Sequence, residues 1–251
     1  MIEKSEKVSC NKDKIKEEHA MIIDEVKVYI ASTKPLEDEE VFRHFYGTVS
    51  EKRRKKIDRY RYPKDKRLSL AAEVLLKKAL EQNGISAFEV EQDENGKPYL
   101  CGNSSVKFNL SHSEERVMCV ISNREVGCDV EKVRETDCKL AKRFFTDTEC
   151  EWIDGAGEES GGSDVLSEKG NRFFRLWTLK ESFIKAVGLG MRLSLKEFSF
   201  HIEQGSVRIE QSVNQEQYFC KEYDLNDGYR YAACGMIPEF GDVIEIILAE
   251  S

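Results

Sequence analysis

The sequence predicts a mixed α+β protein rather than a doubly wound α/β sheet. Strand-like and helix-like segments follow each other without the strict β–α alternation that a parallel sheet requires. Apolar residues make up 40% of the 251 residues and charged residues 34%, a balance that suits a folded protein with a substantial core. A chain of this length forms one large domain or two smaller ones.

The first half of the chain begins with a strand, because Val26, Val28 and Ile30 alternate with polar residues. Helices are predicted at 36–46, 50–62 and 66–82, and Asn83-Gly84 ends the last of them. Strands are predicted at 88–91, 106–112, 116–122 and 126–131, with a turn at Asn95-Gly96.

The second half mixes helices and strands in the same way. After a helix at 137–144, the sequence Thr146-Asp147-Thr148-Glu149 fits a capping box that opens another short helix. Residues 154–171 are rich in glycine and acidic side chains, so we expect a flexible surface insertion there. The strongest helix is predicted at 172–187, and strands are predicted at 198–202, 206–210, 217–223, 229–234 and 243–248.

Charge and hydropathy exclude several functional classes. The net charge of −8 disfavours a nucleic-acid-binding protein, because phosphate neutralisation needs a basic surface. The chain has no run of eighteen apolar residues, so we expect no membrane span. Residues 1–20 mix acidic and basic side chains without an apolar segment, which predicts a disordered extension rather than a secretory signal. We therefore expect a cytoplasmic protein.

Two acidic residues share one face of a predicted strand. Asp129 and Glu131 are two positions apart, and such residues project to the same side of a strand. Carboxylate oxygens are the hard ligands that Mg²⁺ prefers. The alternative is an exposed strand edge that carries ordinary solvated acids.

The strongest predicted helix carries a second candidate group. Trp177, Glu181 and Lys185 follow each other at intervals of four residues, which places them on one face. Glu181 stands on a mostly apolar helix, and a buried carboxylate needs a partner such as a metal ion. The alternative is a surface Glu–Lys pair. Lys180 lies on a different face of the helix.

The segment Phe108-Asn109-Leu110-Ser111-His112-Ser113 ends a predicted strand. Adjacent strand residues face opposite ways, so His112 is not expected to act as a base for Ser111. A histidine that contacts phosphate is the functional interpretation, and a structural histidine at a hairpin is the alternative.

A basic stretch runs from Lys52 to Arg67 and carries a net charge of +8 within an acidic chain. Such a patch indicates a polyanionic ligand or an acidic partner, and its alternative is a solvated helix face. The chain has neither a Walker loop nor a G-x-G-x-x-G turn, so no glycine-rich loop is expected to hold phosphates.

Taken in order, these segments carry a family resemblance. The sequences F-N-L-S-H-S at 108–113, G-C-D-V-E-K at 127–132, F-F-T-D-T-E at 144–149 and L-W-T-L-K-E-S-F-I-K at 176–185, with Gly96-Lys97-Pro98 upstream, are together similar to one family. They resemble the 4′-phosphopantetheinyl transferases of the long, surfactin-synthetase-activating (Sfp) type. The resemblance covers roughly residues 24–235.

The resemblance implies a pseudo-two-fold pair of similar subdomains with the active cleft between them. We expect an N-terminal subdomain at 21–122 and a C-terminal subdomain at 123–251. The implied enzyme is a monomer that transfers 4′-phosphopantetheine from coenzyme A to a serine of an apo acyl or peptidyl carrier protein. It would require Mg²⁺, with Mn²⁺ as the alternative metal, and would release adenosine 3′,5′-bisphosphate.

The resemblance also implies roles for individual residues. The metal ligands would be Asp129, Glu131 and Glu181, and the catalytic residues would be Glu181 and Lys185. Coenzyme A would be bound by Arg53, Lys56, Lys97, Ser111, His112 and Lys185. Glu149 stays ambiguous, because the capping box explains it without a catalytic role. The alternative functions are a Mg²⁺-dependent phosphoesterase that acts on a nucleotide and a non-catalytic module that binds coenzyme A or a carrier protein.

Overall fold

A computed structural model describes residues 23–103, 105–136, 138–156, 167–203 and 205–249. The expected extension at 1–20, and residues 157–166 of the expected insertion, lie outside these described residues. The described residues form helices packed on several sheets, which confirms the predicted mixed α+β fold.

The helices of the described chain follow the predicted order. They are α1 (Glu39–Thr48), α2 (Glu51–Asp58), α3 (Pro63–Gln82), α4 (Cys138–Phe144), α5 (Asp147–Asp154) and α6 (Glu168–Val187), with short 3₁₀ turns at Lys34–Glu37 and Gly190–Arg192. Within the described ranges, none of these helices combines the length and the apolar character that crossing a bilayer requires.

The strands fall into two main sheets and two hairpins. They are β1 (Val26–Ser32), β2 (Val90–Gln92), β3 (Pro98–Leu100), β4 (Lys107–Ser113), β5 (Arg116–Ser122), β6 (Val126–Lys132), β7 (Phe198–Glu203), β8 (Ser206–Gln211), β9 (Phe219–Tyr223), β10 (Tyr229–Gly235) and β11 (Phe240–Glu245). The first sheet has the order β11-β1-β5-β4 and the second has the order β6-β10-β9, while β2-β3 and β7-β8 form hairpins. Strand β11 pairs parallel with β1, so the last strand of the chain completes the sheet that the first strand begins.

Several element boundaries differ from the prediction, and two of the differences have a local reason. Pro63 is the first residue of α3 rather than the stop of α2, because a residue without an N–H group fits the first helical position. Helix α6 begins at Glu168, four residues before the predicted start, because the Ser167 side chain accepts a hydrogen bond from the backbone N–H of Gly170 and caps the helix. Residues 168–171 are therefore helical and not part of a flexible insertion, as the expected range 154–171 had them. Strand β11 begins at Phe240, three residues before the predicted start at 243.

Each main sheet has its own core, and the two sheets share a third. Helix α3 packs on the first sheet, where Leu70, Leu75 and Ala71 are inaccessible to solvent. Helix α6 covers the second sheet through another apolar cluster. Between the sheets, Val28 of β1 belongs to one buried cluster with Val130 of β6. The site described below lies at one side of this shared core.

Helix α6 and strand β6 approach each other more closely than side chains would permit. A Cβ atom at Gly127 would overlap the backbone of Ser182 and Ala186. Glycine is therefore required here by a close backbone approach and not by its conformational freedom. Two residues after this contact β6 reaches Asp129, and three residues after Ser182 the helix reaches Lys185.

We predict that Gly127→Ala destabilises the protein by about 3 kcal/mol or more, because the added methyl group forces α6 away from β6. Gly47→Ala is the matched control. Gly47 lies exposed in α1 with no atom near its virtual Cβ, so we expect a gain of up to about 1 kcal/mol from helix propensity. Urea unfolding of both variants measures the two changes. A Gly127→Ala variant as stable as the wild type would contradict the close approach.

Candidate active site

Two serines of β4 hold the two acids of β6. The Ser111 hydroxyl donates to Oδ1 of Asp129 at 2.7 Å, and the Ser113 hydroxyl donates to Oε2 of Glu131 at 2.8 Å. Both pairs lie on the same face of their strands, because each strand presents alternate residues to one side. The predicted shared face of Asp129 and Glu131 is therefore present, and it is directed at β4 rather than at open solvent.

The same face of β4 continues with Asn109, which joins the two strands more deeply in the protein. Its Oδ1 atom accepts a hydrogen bond from the backbone N–H of Cys128 at 3.1 Å. At the other end, Ser113 accepts a hydrogen bond from the backbone N–H of Lys132 at 3.2 Å. Strands β4 and β6 belong to different sheets, so these side chains connect them where no backbone ladder does.

Helix α6 contributes a lysine to this cluster. The ammonium group of Lys185 donates to Oδ1 of Asp129 at 2.6 Å and to the Ser111 hydroxyl at 3.1 Å. Burial lowers the pKa of Lys185, but the charge of Asp129 and the hydrogen bond to it outweigh burial, so the pKa lies above its usual value. Lys185 is therefore a fixed positive charge at neutral pH.

Glu181 lies one helical turn before Lys185 and close to the β6 acids. Burial, followed by the negative charge of Asp129, raises its pKa, while Lys185 opposes the shift and Glu131 adds to it. Burial also raises the pKa of Glu131, which the hydrogen bond from Ser113 opposes and the charge of Asp129 supports. The three predicted metal ligands thus lie within electrostatic range of one another and repel one another.

This donor set fits a hard divalent cation. Oδ2 of Asp129 is buried and has no hydrogen-bond partner, which leaves one carboxylate oxygen available to a ligand. Three oxygen-bearing acids that repel one another are the groups that Mg²⁺ binds and neutralises. In the described part of the chain, no three His, Cys, Asp or Glu side chains are already gathered as a metal cage.

His112 and Lys56 lie on the outer side of this cluster. His112 is exposed at the end of β4, and partial desolvation of its ring, then the positive charge of Lys185 and, more weakly, that of Lys56, lower its pKa. Burial and the adjacent Arg53 also lower the pKa of Lys56. The structure therefore brings His112 within electrostatic range of both Lys56 and Lys185, although the three residues come from α2, β4 and α6.

Two other residues that the sequence assigned to coenzyme A are bound within the protein. The Arg53 guanidinium forms a salt bridge with Glu73 at 2.7 Å and ties α2 to α3. The Lys97 ammonium donates to Glu125 at 2.6 Å and to the backbone carbonyl of Ala186 at 2.8 Å. Lys97 therefore contacts the C-terminal turn of α6, directly after Lys185.

Lys180 and Glu149 have structural roles that the sequence left open. Lys180 is fully buried and forms a salt bridge with Glu149 at 2.9 Å, away from the acids of β6. Burial lowers the pKa of Lys180, and the charge of Glu149 opposes that shift. Glu149 also completes the predicted capping box with Thr146, which confirms that prediction.

Sequence reasoning missed Ser113, Asn109 and Glu125. A signal for the first two was present, because Asn109, Ser111 and Ser113 place polar residues at every second position of a strand, in the same period as Asp129 and Glu131. A polar face of this period usually faces solvent, so the period alone does not pair the two strands. No local pattern identifies Glu125, since its partner Lys97 lies in another part of the chain.

Comparison with known proteins assigns both halves of the chain to one family. Residues 125–234 match the 4′-phosphopantetheinyl transferase superfamily. Residues 34–124 match the N-terminal region of 4′-phosphopantetheinyl transferases. The two matches are adjacent and include every predicted site residue.

Individual relatives cover most of the chain. The 4′-phosphopantetheinyl transferase Sfp of Bacillus subtilis strain 168 is 32% identical over 234 residues, which span 90% of this chain and 99% of that protein. The 4′-phosphopantetheinyl transferase gsp of Aneurinibacillus migulanus is 34% identical over 79% of this chain and 81% of its own length. A further 4′-phosphopantetheinyl transferase of Bacillus subtilis is 33% identical over 80% of this chain and 88% of its own length.

We predict that Glu181→Gln raises the melting temperature in Mg²⁺-free buffer at neutral pH. The substitution keeps the shape of the side chain and removes one of three mutually repelling charges. Glu222→Gln is the control, because Glu222 forms a salt bridge with Arg175 at 2.8 Å and its neutralisation should lower the melting temperature. A lower melting temperature for Glu181→Gln would show that the charge on Glu181 does not destabilise the folded protein.

Proposed function

This chain belongs to the 4′-phosphopantetheinyl transferase superfamily and is an enzyme of the Sfp type, and we propose that coenzyme A is its donor substrate. The acceptor is the serine hydroxyl of an apo acyl or peptidyl carrier protein, and the second product is adenosine 3′,5′-bisphosphate. The observation that carries this proposal is the convergence of Ser111, Asp129 and Lys185, with Glu131 and Glu181 in electrostatic range.

The reaction needs no nucleophile from this chain. The carrier serine oxygen forms a bond to the phosphorus next to the pantetheine, and the bond from that phosphorus to the bridging oxygen of the pyrophosphate breaks. The serine proton passes to Glu181, directly or through water, and the raised pKa of Glu181 makes its carboxylate a stronger proton acceptor than an ordinary glutamate. The electron pair of the broken bond leaves with adenosine 3′,5′-bisphosphate.

The cations of the site suit the charges of coenzyme A. Lys185 keeps its proton at neutral pH and would neutralise the pyrophosphate. The lowered pKa of His112 favours a neutral ring, which would donate a hydrogen bond to a phosphate oxygen. Lys56 would add a charge on the same side, toward the 3′-phosphate. Arg53, Ser111 and Lys97 would also contact coenzyme A. Hydrogen bonds with Glu73, Lys185 and the backbone carbonyl of Ala186, respectively, hold these three side chains in place.

A divalent metal completes the proposed site. Asp129, Glu131 and Glu181 would hold Mg²⁺, or Mn²⁺ in its place, and the unpartnered Oδ2 of Asp129 supports this assignment. When bound, the ion would neutralise charge on the bridging and leaving oxygens of the pyrophosphate. Ser111 and Ser113 would orient the two β6 carboxylates toward it.

The position of the site supports a subdomain boundary near residue 123, although β11 of the second proposed subdomain completes the sheet of the first. Strand β4 comes from the first proposed subdomain (21–122), whereas β6 and α6 come from the second (123–251). The site residues meet where these parts face each other, as a cleft between two subdomains requires. A monomeric enzyme is part of this proposal.

The test of this function is the intact mass of an apo carrier protein after incubation with the enzyme, coenzyme A and Mg²⁺. We expect the carrier to gain one phosphopantetheine, and EDTA to abolish the gain. An inactive Ser→Ala carrier is the control for the acceptor. Breakdown of coenzyme A without carrier modification would favour the phosphoesterase, and binding of coenzyme A without turnover would favour the binding module.

We predict that Lys56→Ala raises the KM for coenzyme A about tenfold or more and changes kcat much less, because a phosphate contact remote from the reacting atoms contributes to binding. The control is Lys55→Ala on the same helix. Lys55 is exposed and forms a surface salt bridge with Glu51 at 2.7 Å, so its loss should leave both constants unchanged. Equal KM values for the two variants would remove Lys56 from the binding site.

A further inference from the structure

We propose that the buried ion pair of Lys180 and Glu149 is a positioning device that sets the place of Glu181 in the site. The inference rests on the proposed role of Glu181 as metal ligand and proton acceptor. Lys180 immediately precedes Glu181 on α6 and projects from a different side of the helix, about 100° away, so an anchor on that side fixes the depth and rotation of the helix at the position of Glu181.

Each of the three hydrogens of the Lys180 ammonium group has an acceptor. It donates to the backbone carbonyls of Leu195 at 2.7 Å and Phe198 at 2.8 Å, and it contacts Oε1 of Glu149 at 2.9 Å. The Lys180 side chain is 0% exposed and that of Glu149 is 1% exposed. Three acceptors around one ammonium group satisfy its full donor capacity and leave it little freedom to move.

Glu149 is itself held from two directions. Its Oε2 atom accepts a hydrogen bond from the backbone N–H of Thr146 at 2.9 Å, at the N-terminus of α5. Its Oε1 atom accepts one from the backbone N–H of Phe200 at 2.9 Å, within β7. The ion pair therefore joins α6 to two separate elements through hydrogen bonds of fixed direction.

Stability alone is a weak reason for this pair. Removing two charges from water opposes folding, and well-packed apolar residues in place of a buried ion pair often give equal or greater stability. An apolar contact, however, tolerates sliding and rotation that directional hydrogen bonds do not. The main effect of the pair is therefore to fix the position of the helix, and its contribution to the stability of the fold is secondary.

Glu181 depends on such an anchor more than its neighbour in the site does. Lys185 is held directly by Asp129 and Ser111. In the described part of the chain, the Glu181 carboxylate has no hydrogen bond or salt bridge of its own, and only electrostatic coupling links it to Asp129, Glu131 and Lys185. Its location is therefore set by the helix backbone, which Lys180 fixes one residue earlier.

The experiment compares two double variants that each replace one ion pair of α6 with apolar residues. Lys180→Met with Glu149→Leu removes the anchor and keeps its volume. Arg175→Met with Glu222→Leu removes the salt bridge that ties the earlier part of α6 to β9, and it is the matched control. Hydrogen–deuterium exchange of residues 178–187 and steady-state kinetics with coenzyme A and a carrier protein are measured at a temperature where circular dichroism shows both variants folded.

For the anchor variant we expect faster exchange across residues 178–187 and a kcat lower by about 10- to 100-fold, with the KM for coenzyme A within about threefold of the wild-type value. The control variant should keep the wild-type kcat and exchange in this segment. Wild-type exchange, or faster exchange with an unchanged kcat, would overturn the proposal. If the double variant does not fold, Glu149→Asp keeps the charge, shortens the side chain and should shift kcat and exchange in the same direction.

The two readouts separate this proposal from the proposed function. A wild-type enzyme that modifies no carrier protein would refute the function. The exchange of residues 178–187 would still show whether Lys180 and Glu149 fix this part of α6, because exchange does not depend on turnover. Faster exchange in the anchor variant alone would then support the anchor as a structural device without the catalytic role.

Discussion

The close contact of α6 with β6 at Gly127 is the constraint on which the rest of the structure depends. Because no side chain separates the two backbones there, the helix and the strand leave the contact at a fixed distance. Asp129 and Lys185 follow within a few residues, and their charged groups meet at 2.6 Å. A longer separation would place the same two side chains out of hydrogen-bond range. The geometry of the site therefore depends on Gly127, which has no side chain to separate the two backbones.

The site combines like charges that the fold must hold together against their repulsion. Asp129, Glu131 and Glu181 raise one another's energy, and the hydroxyl groups of β4 and the ammonium group of Lys185 compensate only part of it. Such an arrangement favours the binding of a cation, because a bound positive charge reduces the repulsion between the carboxylates that exists before binding. The basic groups on the outer side serve the opposite need and favour an anionic ligand.

Sequence periodicity predicted the parts of the site that depend on a single element. The two-residue spacing of Asp129 and Glu131 and the four-residue spacing of Glu181 and Lys185 each define one face, and the structure has both faces. Partners from distant segments could not be predicted in this way. Lys180 and Lys185 are five residues apart on the same helix, yet Lys180 is buried in the core and Lys185 lies in the site.

The difference between the two lysines is decided by the elements that pack on each side of α6, which no local pattern encodes. The same limit applies to Pro63. The local sequence around it is equally compatible with the end of one helix and with the start of the next. The start of α3 at Pro63 is fixed by its long buried face against the first sheet. Local rules therefore predict which residues share a face, and tertiary packing decides what that face contacts.

Three residues of β4, namely Asn109, Ser111 and Ser113, join the two sheets across a seam with β6, and the two serines also hold the acids of the site. Buried backbone groups at a strand edge need hydrogen-bond partners, and here Asn109 and Ser113 supply them to β6 in place of a neighbouring strand. Ser111, between them, is the residue that contacts both Asp129 and Lys185. A change that improves the seam by substituting apolar contacts would remove the groups that orient the acids. The polar character of this seam therefore meets two needs at once: Asn109 and Ser113 satisfy backbone groups of β6, and the serines orient the acids of the candidate site.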